Sequence, residues 1–206
     1  MIPAIILAAG ASSRMGRPKA LLPIAADGTT FLERLVRTLR AAGVDDVIVV
    51  VGYDADLVRG VIESAGLAVR TAENQDPARG QISSLMAALE IADRPGVQAV
   101  LVAPVDQPVV AVDTVRRLLD AYQRTRAPIV RPAHEGRHGH PVVFDRSLFD
   151  ELRRADLSAG AREVIQRHRS EAIDVTVDDE GAFLDIDTPE AYERVLRDRG
   201  LVSGER

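Results

Sequence analysis

Two basic residues lie close together near the start of the chain, and their setting indicates binding of a polyphosphate. Arg14 and Lys19 follow a run of small residues at 8–13, which itself follows a short apolar run at 5–7. Small side chains directly after a strand let backbone N–H groups approach a ligand closely, as in loops that cradle phosphates. An ordinary strand-to-helix turn with solvated basic side chains is the alternative, because small-residue loops also arise by chance.

Two acidic positions are candidates for holding a divalent cation. Asp106 ends the apolar run VLVAPV, and Asp187 lies in the segment DIDTPE. Mg²⁺ takes one or two protein carboxylates together with phosphate oxygens. Asp106 could instead cap a turn before Pro108, and Asp187 could instead stabilise the start of the following helix. Asp185 lies only two residues from Asp187, so the residue types leave open which of the two meets the metal.

A scaffold must bring these residues to one edge, and the apolar patterns predict it. Strands are expected at 5–7, 47–51, 67–72, 97–106, 127–133, 141–144 and 172–177, and helices at 31–42, 55–65, 83–91, 112–125, 146–154, 160–169 and from Pro189 to Gly200. This alternation predicts βαβ units and a mostly parallel sheet. Ligands of such open sheets lie outside the carboxyl ends of the strands. Residues 8–19, 74–84 and Asp106 should therefore share one rim.

Length and composition bound the class of protein. A chain of 206 residues indicates one domain, expected at 1–200, followed by a frayed tail at 201–206. A net charge of −5 and 3% aromatic residues argue against nucleic-acid binding. The chain has no cysteine and no apolar run of the roughly 20 residues that a membrane helix needs. It also lacks a signal-peptide pattern, so a cytoplasmic protein without a membrane partner is expected.

Five motifs carry a resemblance to a known family. The loop LAAGASSRMGRPK resembles the signature L-A-x-G-x-S-x-R-M-G-x-x-K of nucleotidyltransferases that activate sugars, sugar alcohols and the molybdenum cofactor. APVDQP and DIDTPEAY resemble the metal-binding motifs of molybdenum-cofactor cytidylyl- and guanylyltransferases, although Ala191 stands where the second motif often has Asp. ENQDPARGQISSL and RHGHPVVF resemble the middle motifs. This MobA-like resemblance covers nearly the whole chain and implies a Rossmann-like three-layer α/β/α sandwich of the nucleotide-diphospho-sugar transferase type.

The resemblance also implies that the domain has a nucleotide-binding part at about 1–125 and an acceptor-binding part at about 126–200, and it implies roles for individual residues. Arg14, Lys19 and Asp106 would be catalytic, and Asp106 and Asp187 would hold Mg²⁺ with Asp185 in support. The residues implied in nucleotide binding are Leu7, Ala8, Ala9, Gly10, Ser12, Arg14, Lys19, Asn74, Gly80, Ser83 and Ser84. Ser83 or Ser84 as a plain helix N-cap is an equally weighted alternative. Gly139 and His140 would face the acceptor, whereas His134 and His138 are expected on the surface.

The function that these features predict is Mg²⁺-dependent transfer of a nucleoside monophosphate from a nucleoside triphosphate to a phosphorylated acceptor, with release of pyrophosphate. Cytidylyl-transferring relatives carry Ala-Gly where this chain has Ala9 and Gly10, so CTP is favoured over GTP. Molybdopterin is the expected acceptor, and a molybdoenzyme or its chaperone the expected recipient of the product. A sugar- or polyol-phosphate nucleotidyltransferase is the alternative enzyme. A catalytically idle nucleotide sensor or cofactor chaperone is the alternative outside enzymes, which the intact set of Arg14, Lys19, Asp106 and Asp187 disfavours.

Overall fold

A mixed sheet of eight strands runs through the computed structural model, which describes residues 1–198. The strands are β1 (Ala4–Leu7), β2 (Val47–Val51), β3 (Arg70–Glu73), β4 (Ala99–Pro104), β5 (Ile129–His134), β6 (Arg137–His138), β7 (Val142–Asp145) and β8 (Ile173–Thr176). The helices are α1 (Phe31–Ala41), α2 (Ala55–Ser64), α3 (Gln81–Ala92), α4 (Val112–Thr125), α5 (Phe149–Arg153), α6 (Ala161–Arg167) and α7 (Pro189–Asp198). No helix within these residues is both long and apolar enough to cross a membrane.

β1 lies at the switch point of the sheet, where the order in which the chain adds strands reverses from one side of β1 to the other. The order is β3-β2-β1-β4-β7-β5-β6, with β8 paired to β5. β1 pairs in parallel with both neighbours, so that Ile5 lies beside Ile48 of β2 and Val102 of β4. β7 is antiparallel to β4 and β5, whereas β3 and β8 continue the parallel pairing. The prediction of a mostly parallel sheet is confirmed, and the loop after β1 lies where such sheets bind ligands.

Helices cover the sheet on both faces, as the three-layer prediction required. Alternate β1 residues point to opposite faces: Ile6 belongs to one apolar cluster and Ile5 to the other. Buried side chains of α1, α2, α4 and α7 complete the cluster around Ile6, and those of α3, α5 and α6 complete the cluster around Ile5. The three-layer α/β/α architecture is confirmed.

Several element boundaries differ from the predicted ones. The strand expected at 67–72 begins at Arg70, because its pairing with β2 runs from Ile48–Arg70 to Val51–Glu73. The helix expected at 146–154 is divided into a 3₁₀ turn (Arg146–Leu148) and α5. The two-residue strand β6 was not predicted, since two residues are too few for a hydrophobic period. The expected helix end at Gly200 and the tail at 201–206 lie outside the described residues.

Candidate active site

The loop after β1 is held in shape by its own small residues. The N–H of Ala8 donates to the carbonyl of Val50, which ties the start of the loop to β2 (3.0 Å). The backbone N–H of Lys19 then donates to Oγ of Ser12 (3.0 Å), and the N–H of Met15 donates to the Ser12 carbonyl (2.9 Å). Ser12 therefore closes the loop internally and sets the start of the segment that carries Lys19.

Four charged side chains from three distant segments meet at the mouth of this loop. Nζ of Lys19 donates to Oδ2 of Asp106 (3.0 Å) and to Oδ1 of Asp187. Nη2 of Arg14 donates to the other carboxylate oxygen of Asp187 (2.8 Å). Lys19 is 13% exposed and Arg14 is 66% exposed. One buried ammonium thus bridges two carboxylates, while an exposed guanidinium binds the outer one.

Burial and charge act in opposite directions on the pKa values in this cluster. Burial alone would lower the pKa of Lys19, but its bonds and proximity to Asp187 and Asp106 raise that pKa above 10.5. Burial would raise the pKa of Asp187, yet Lys19 and Arg14 lower it below 3.8. Asp106 is more strongly desolvated, so its pKa is raised although Lys19 pulls it down. The Asp106 carboxylate is therefore the group that most needs a facing cation.

A cavity of about 220 Å³ opens beside this cluster, along the ends of β1 and β4. Nine of the residues predicted to form the site line it: Leu7, Ala8, Ala9, Gly10, Ser12, Lys19, Gly80, Ser84 and Asp106. Pro18, Ala20, Pro77, Gln81, Pro104 and Val105 complete the lining. The structure therefore brings together the three segments that the sequence placed on one rim.

Asn74 and Ser83 form a buried support beneath the cavity. Nδ2 of Asn74 donates to the hydroxyls of Ser83 and Ser84 (both 2.9 Å). The Ser83 hydroxyl in turn donates to the carbonyl of Gly80 (2.7 Å). Because α3 begins at Gln81 with Gly80 as its N-cap residue, the alternative interpretation of Ser83 or Ser84 as N-cap is wrong. These hydroxyls connect the β3 end to the first turn of α3.

Gly139 and His140 lie just before β7. The N–H of His140 donates to the carbonyl of Ala182 (2.9 Å). A Cβ atom on Gly139 would lie 2.0 Å from that carbonyl oxygen, so only glycine fits this backbone approach. Burial lowers the pKa of His140, although the charges of Asp185 and Asp106 oppose the shift. Burial therefore favours the neutral form of the His140 imidazole.

The two remaining histidines of this region bind protein groups. His134 is half-buried, and its Nδ1 contacts the Val177 carbonyl (2.9 Å). His138 is exposed and contacts Asp174 (3.1 Å). The surface prediction holds for His138 and is only partly right for His134.

Two site residues were not singled out in the sequence. A Cβ atom on Gly52 would lie 2.7 Å from both the Cβ and the carbonyl oxygen of Ala9, so this glycine lets β2 approach the loop. The only signal in the sequence was its position directly after VIVVV. Gln107 is 4% exposed, and its Nε2 donates to Oδ1 of Asp185 (2.7 Å). Gln107 lies directly after Asp106, but its contact depends on a segment 78 residues away.

Comparison with known proteins identifies close relatives. A family model described as the MobA-like NTP transferase domain matches residues 4–172. Nicotine blue oxidoreductase of Paenarthrobacter nicotinovorans is 35% identical over 204 residues, which cover 93% of this chain and 95% of that protein. Molybdenum cofactor guanylyltransferase of Rhizobium meliloti is 29% identical over 215 residues, which cover 91% of this chain and 87% of that protein.

Solved structures agree with this assignment. Rv0371c of Mycobacterium tuberculosis is 32% identical with a TM-score of 0.80, over 96% of this chain and 98% of that one. A structure of Rv0371c in complex with manganese is also similar, at 30% identity and a TM-score of 0.75 over 95% and 98% of the two chains. The similarity therefore extends over nearly the whole length of both chains.

Proposed function

The chain belongs to the MobA-like NTP transferase family, a family of nucleotidyltransferases, and we propose that it is a Mg²⁺-dependent enzyme that prefers CTP to GTP and uses molybdopterin as acceptor. The observation that carries the proposal is the convergence of Lys19, Asp106 and Asp187 at the mouth of the cavity. Such a group suits a reaction in which a triphosphate must be bound and the negative charge that develops on it must be stabilised.

The donor set fits a hard divalent cation. Carboxylate oxygens of Asp106 and Asp187 both lie within bonding distance of one ammonium, so they can also face one metal ion. Mg²⁺ needs only one or two carboxylates when phosphate oxygens and waters complete its shell. The manganese complex of Rv0371c supports a divalent ion in this fold. When bound, the ion supplies positive charge to the phosphate oxygens.

Arg14 and Lys19 are the residues that we assign to the triphosphate. Arg14 is exposed at the mouth, and Lys19 lines the cavity itself. An oxygen of the acceptor phosphate attacks the α-phosphorus, and the bond from that phosphorus to the β-phosphate oxygen breaks. The electron pair of that bond leaves with pyrophosphate. Lys19 and Arg14 stabilise the charge that develops on this leaving group, so no covalent enzyme intermediate is required.

Ala9 is the residue that we assign to the choice of base. Ala9 is 2% exposed and lines the cavity, and its methyl group lies against Gly52. A methyl group at this position leaves less room than glycine, which favours a pyrimidine over a purine. The name of the Rhizobium meliloti relative points to guanylyl transfer in that protein. A measurement of which nucleotide this chain prefers therefore tests the proposed preference for CTP directly.

Gly139 and His140 are assigned to the acceptor side. Burial favours the neutral imidazole of His140, which can both donate and accept a hydrogen bond. The charges of Asp185 and Asp106 act on His140, which supports a role for this residue on the acceptor side of the proposed metal site. Delivery of the product to a molybdoenzyme or its chaperone completes the proposed role.

An oxidoreductase is the second candidate, because the nicotine blue oxidoreductase is 35% identical over nearly the whole chain. The two candidates are separated by direct assay. An oxidoreductase of that kind changes the oxidation state of nicotine blue when an electron donor or acceptor is added, in the absence of any nucleoside triphosphate. A nucleotidyltransferase releases pyrophosphate and leaves the dye unchanged.

Thermal stabilisation by nucleotides tests the donor site. A ligand that binds only the folded state raises the melting temperature according to its saturation. With Mg²⁺ present, CTP should stabilise the wild type more than GTP, and Ala9→Gly should reduce that difference. A larger shift with GTP would overturn the choice of base but keep the family. A preference for UTP or ATP would favour a sugar- or polyol-phosphate acceptor, and no shift with any nucleotide would remove the assignment of the loop.

A further inference from the structure

We propose that Gln107 is a positioning residue that holds Asp185 and thereby aims Asp187 at the cation site. The inference rests on the proposed function, because it assumes that Asp106 and Asp187 face a divalent ion. It assigns different roles to two aspartates that the sequence could not separate. Asp187 faces the ion, whereas Asp185 acts through the position of the segment.

The carboxyl-terminal acidic segment has no regular structure of its own to fix its direction. Residues 184–187 belong to neither a helix nor a strand. Two contacts attach this segment to the end of β4. The N–H of Ile186 donates to the Asp106 carbonyl (2.9 Å), and Nε2 of Gln107 donates to Oδ1 of Asp185 (2.7 Å). Ile186 is fully buried, so it anchors the segment between the two aspartates.

The orientation of the Gln107 amide follows from chemistry. A carboxylate only accepts hydrogen bonds, so the NH₂ group must face Asp185 and the carbonyl oxygen must face the other way. That oxygen, Oε1, is buried without a hydrogen-bond partner among the described residues. A buried polar atom without a partner is costly, and an apolar side chain here would avoid the cost. Such a local exception is typical of sites kept for function.

The contact with Gln107 also occupies one carboxylate oxygen of Asp185. Its Oδ1 is bound by Gln107, while both carboxylate oxygens of Asp187 are bound by the cations Lys19 and Arg14. Of the two aspartates in this segment, Asp187 is therefore the one bound by the cationic groups that a metal and a triphosphate would replace or engage. Groups that orient metal ligands from behind contribute to metal affinity, typically by 10- to 100-fold.

Binding of Mn²⁺ alone, followed by the electron paramagnetic resonance signal of the free ion, tests the proposal. Asp187→Asn should lose most of the Mn²⁺ affinity. Gln107→Leu and Asp185→Ala should each weaken binding about tenfold, and the double variant should be no weaker than either single one. Asp185→Asn is the matched comparison, because its amide oxygen can accept the same bond from Gln107, so it should bind Mn²⁺ more tightly than Asp185→Ala does.

Each of the following results would contradict a particular part of the proposal. Wild-type Mn²⁺ affinity in Gln107→Leu overturns the positioning role. Loss of binding in Asp185→Asn as severe as in Asp187→Asn makes Asp185 itself a ligand and also overturns it. Absence of Mn²⁺ binding by the wild type removes the cation site of the proposed function, and the inference with it. Asp185 is exposed, so Asp185→Ala tests the contact even where Gln107→Leu fails to fold.

Discussion

Replacing Lys19 by methionine removes the ammonium that bridges Asp106 and Asp187, and it leaves the two carboxylates facing each other. The Lys19 side chain is 13% exposed, and the two carboxylate side chains are 24% and 29% exposed. Removing one partner of a fully buried pair costs about 3–5 kcal/mol, whereas an exposed pair contributes about 0–1 kcal/mol. The partial burial of this group lies between these limits, so a loss of about 2 kcal/mol is expected.

This loss should appear as a lower melting temperature that a divalent cation restores. In a protein of this size a loss of about 2 kcal/mol lowers the melting temperature by about 4–8 °C. Mn²⁺ at about 100 times its dissociation constant would add about 2.7 kcal/mol. It should therefore stabilise Lys19→Met more than it stabilises the wild type, because in the wild type it must compete with the ammonium.

Scanning calorimetry with and without Mn²⁺ measures both effects. Arg14→Met is the matched control, since Arg14 binds the same Asp187 but is 66% exposed and should change stability little. Lys19→Arg, which keeps the charge, should recover part of the loss. Two results would refute the view that the ammonium and the metal occupy the same position between Asp106 and Asp187. One is wild-type stability in Lys19→Met, and the other is an equal rise of the melting temperature with Mn²⁺ in both proteins.

Three further predictions concern stability and are measured by urea unfolding. Gly139→Ala should destabilise by about 3 kcal/mol, because its methyl group would meet the Ala182 carbonyl; an unchanged midpoint would contradict that contact. Tyr122→Phe should cost about 1–2 kcal/mol, because the buried hydroxyl lies 2.8 Å from the Gln98 carbonyl and 2.6 Å from Asp145; a loss below 0.5 kcal/mol would count against it. The pKa of Asp187 is lowered in the folded state, so its contribution is present above pH 3.8 and is lost as the pH falls further. Asp187→Asn should flatten that acid-side dependence, and an identical pH profile would contradict the assignment.

The fold could be predicted where a local pattern decided the structure. VIVVV at 47–51 forms the predicted strand β2, and the predicted bounds of α4 agree with both of its observed ends. The apolar pattern gave a wrong boundary where pairing with a neighbouring strand determines the residue at which an element begins. The apolar residues 67–69 suggested an earlier start for β3, but the register with β2 begins at Arg70. Tertiary pairing, which a single sequence does not display, decided that boundary.

The residues of the candidate site also differ in how well the sequence alone predicts them. The loop and Asp106 follow predicted strands, so the sequence could place them on one rim, whereas the acidic segment was joined to them only through the family resemblance. Gln107 and Gly52 carry no such signal, because their importance comes from Asp185 and Ala9, which are distant in the chain. The choice between Asp185 and Asp187 likewise depends on which side chain meets Lys19, and only the folded arrangement contains that information.

Direct observation of nucleotidyl transfer tests the central claim. The protein is incubated with molybdopterin, Mg²⁺ and CTP, and pyrophosphate and the nucleotidylated pterin are quantified by mass spectrometry. The account predicts equal amounts of both products, fewer with GTP, and none with a folded Asp106→Ala variant. Full turnover by that variant would contradict the account, as would a folded wild-type protein that releases no pyrophosphate from any nucleoside triphosphate.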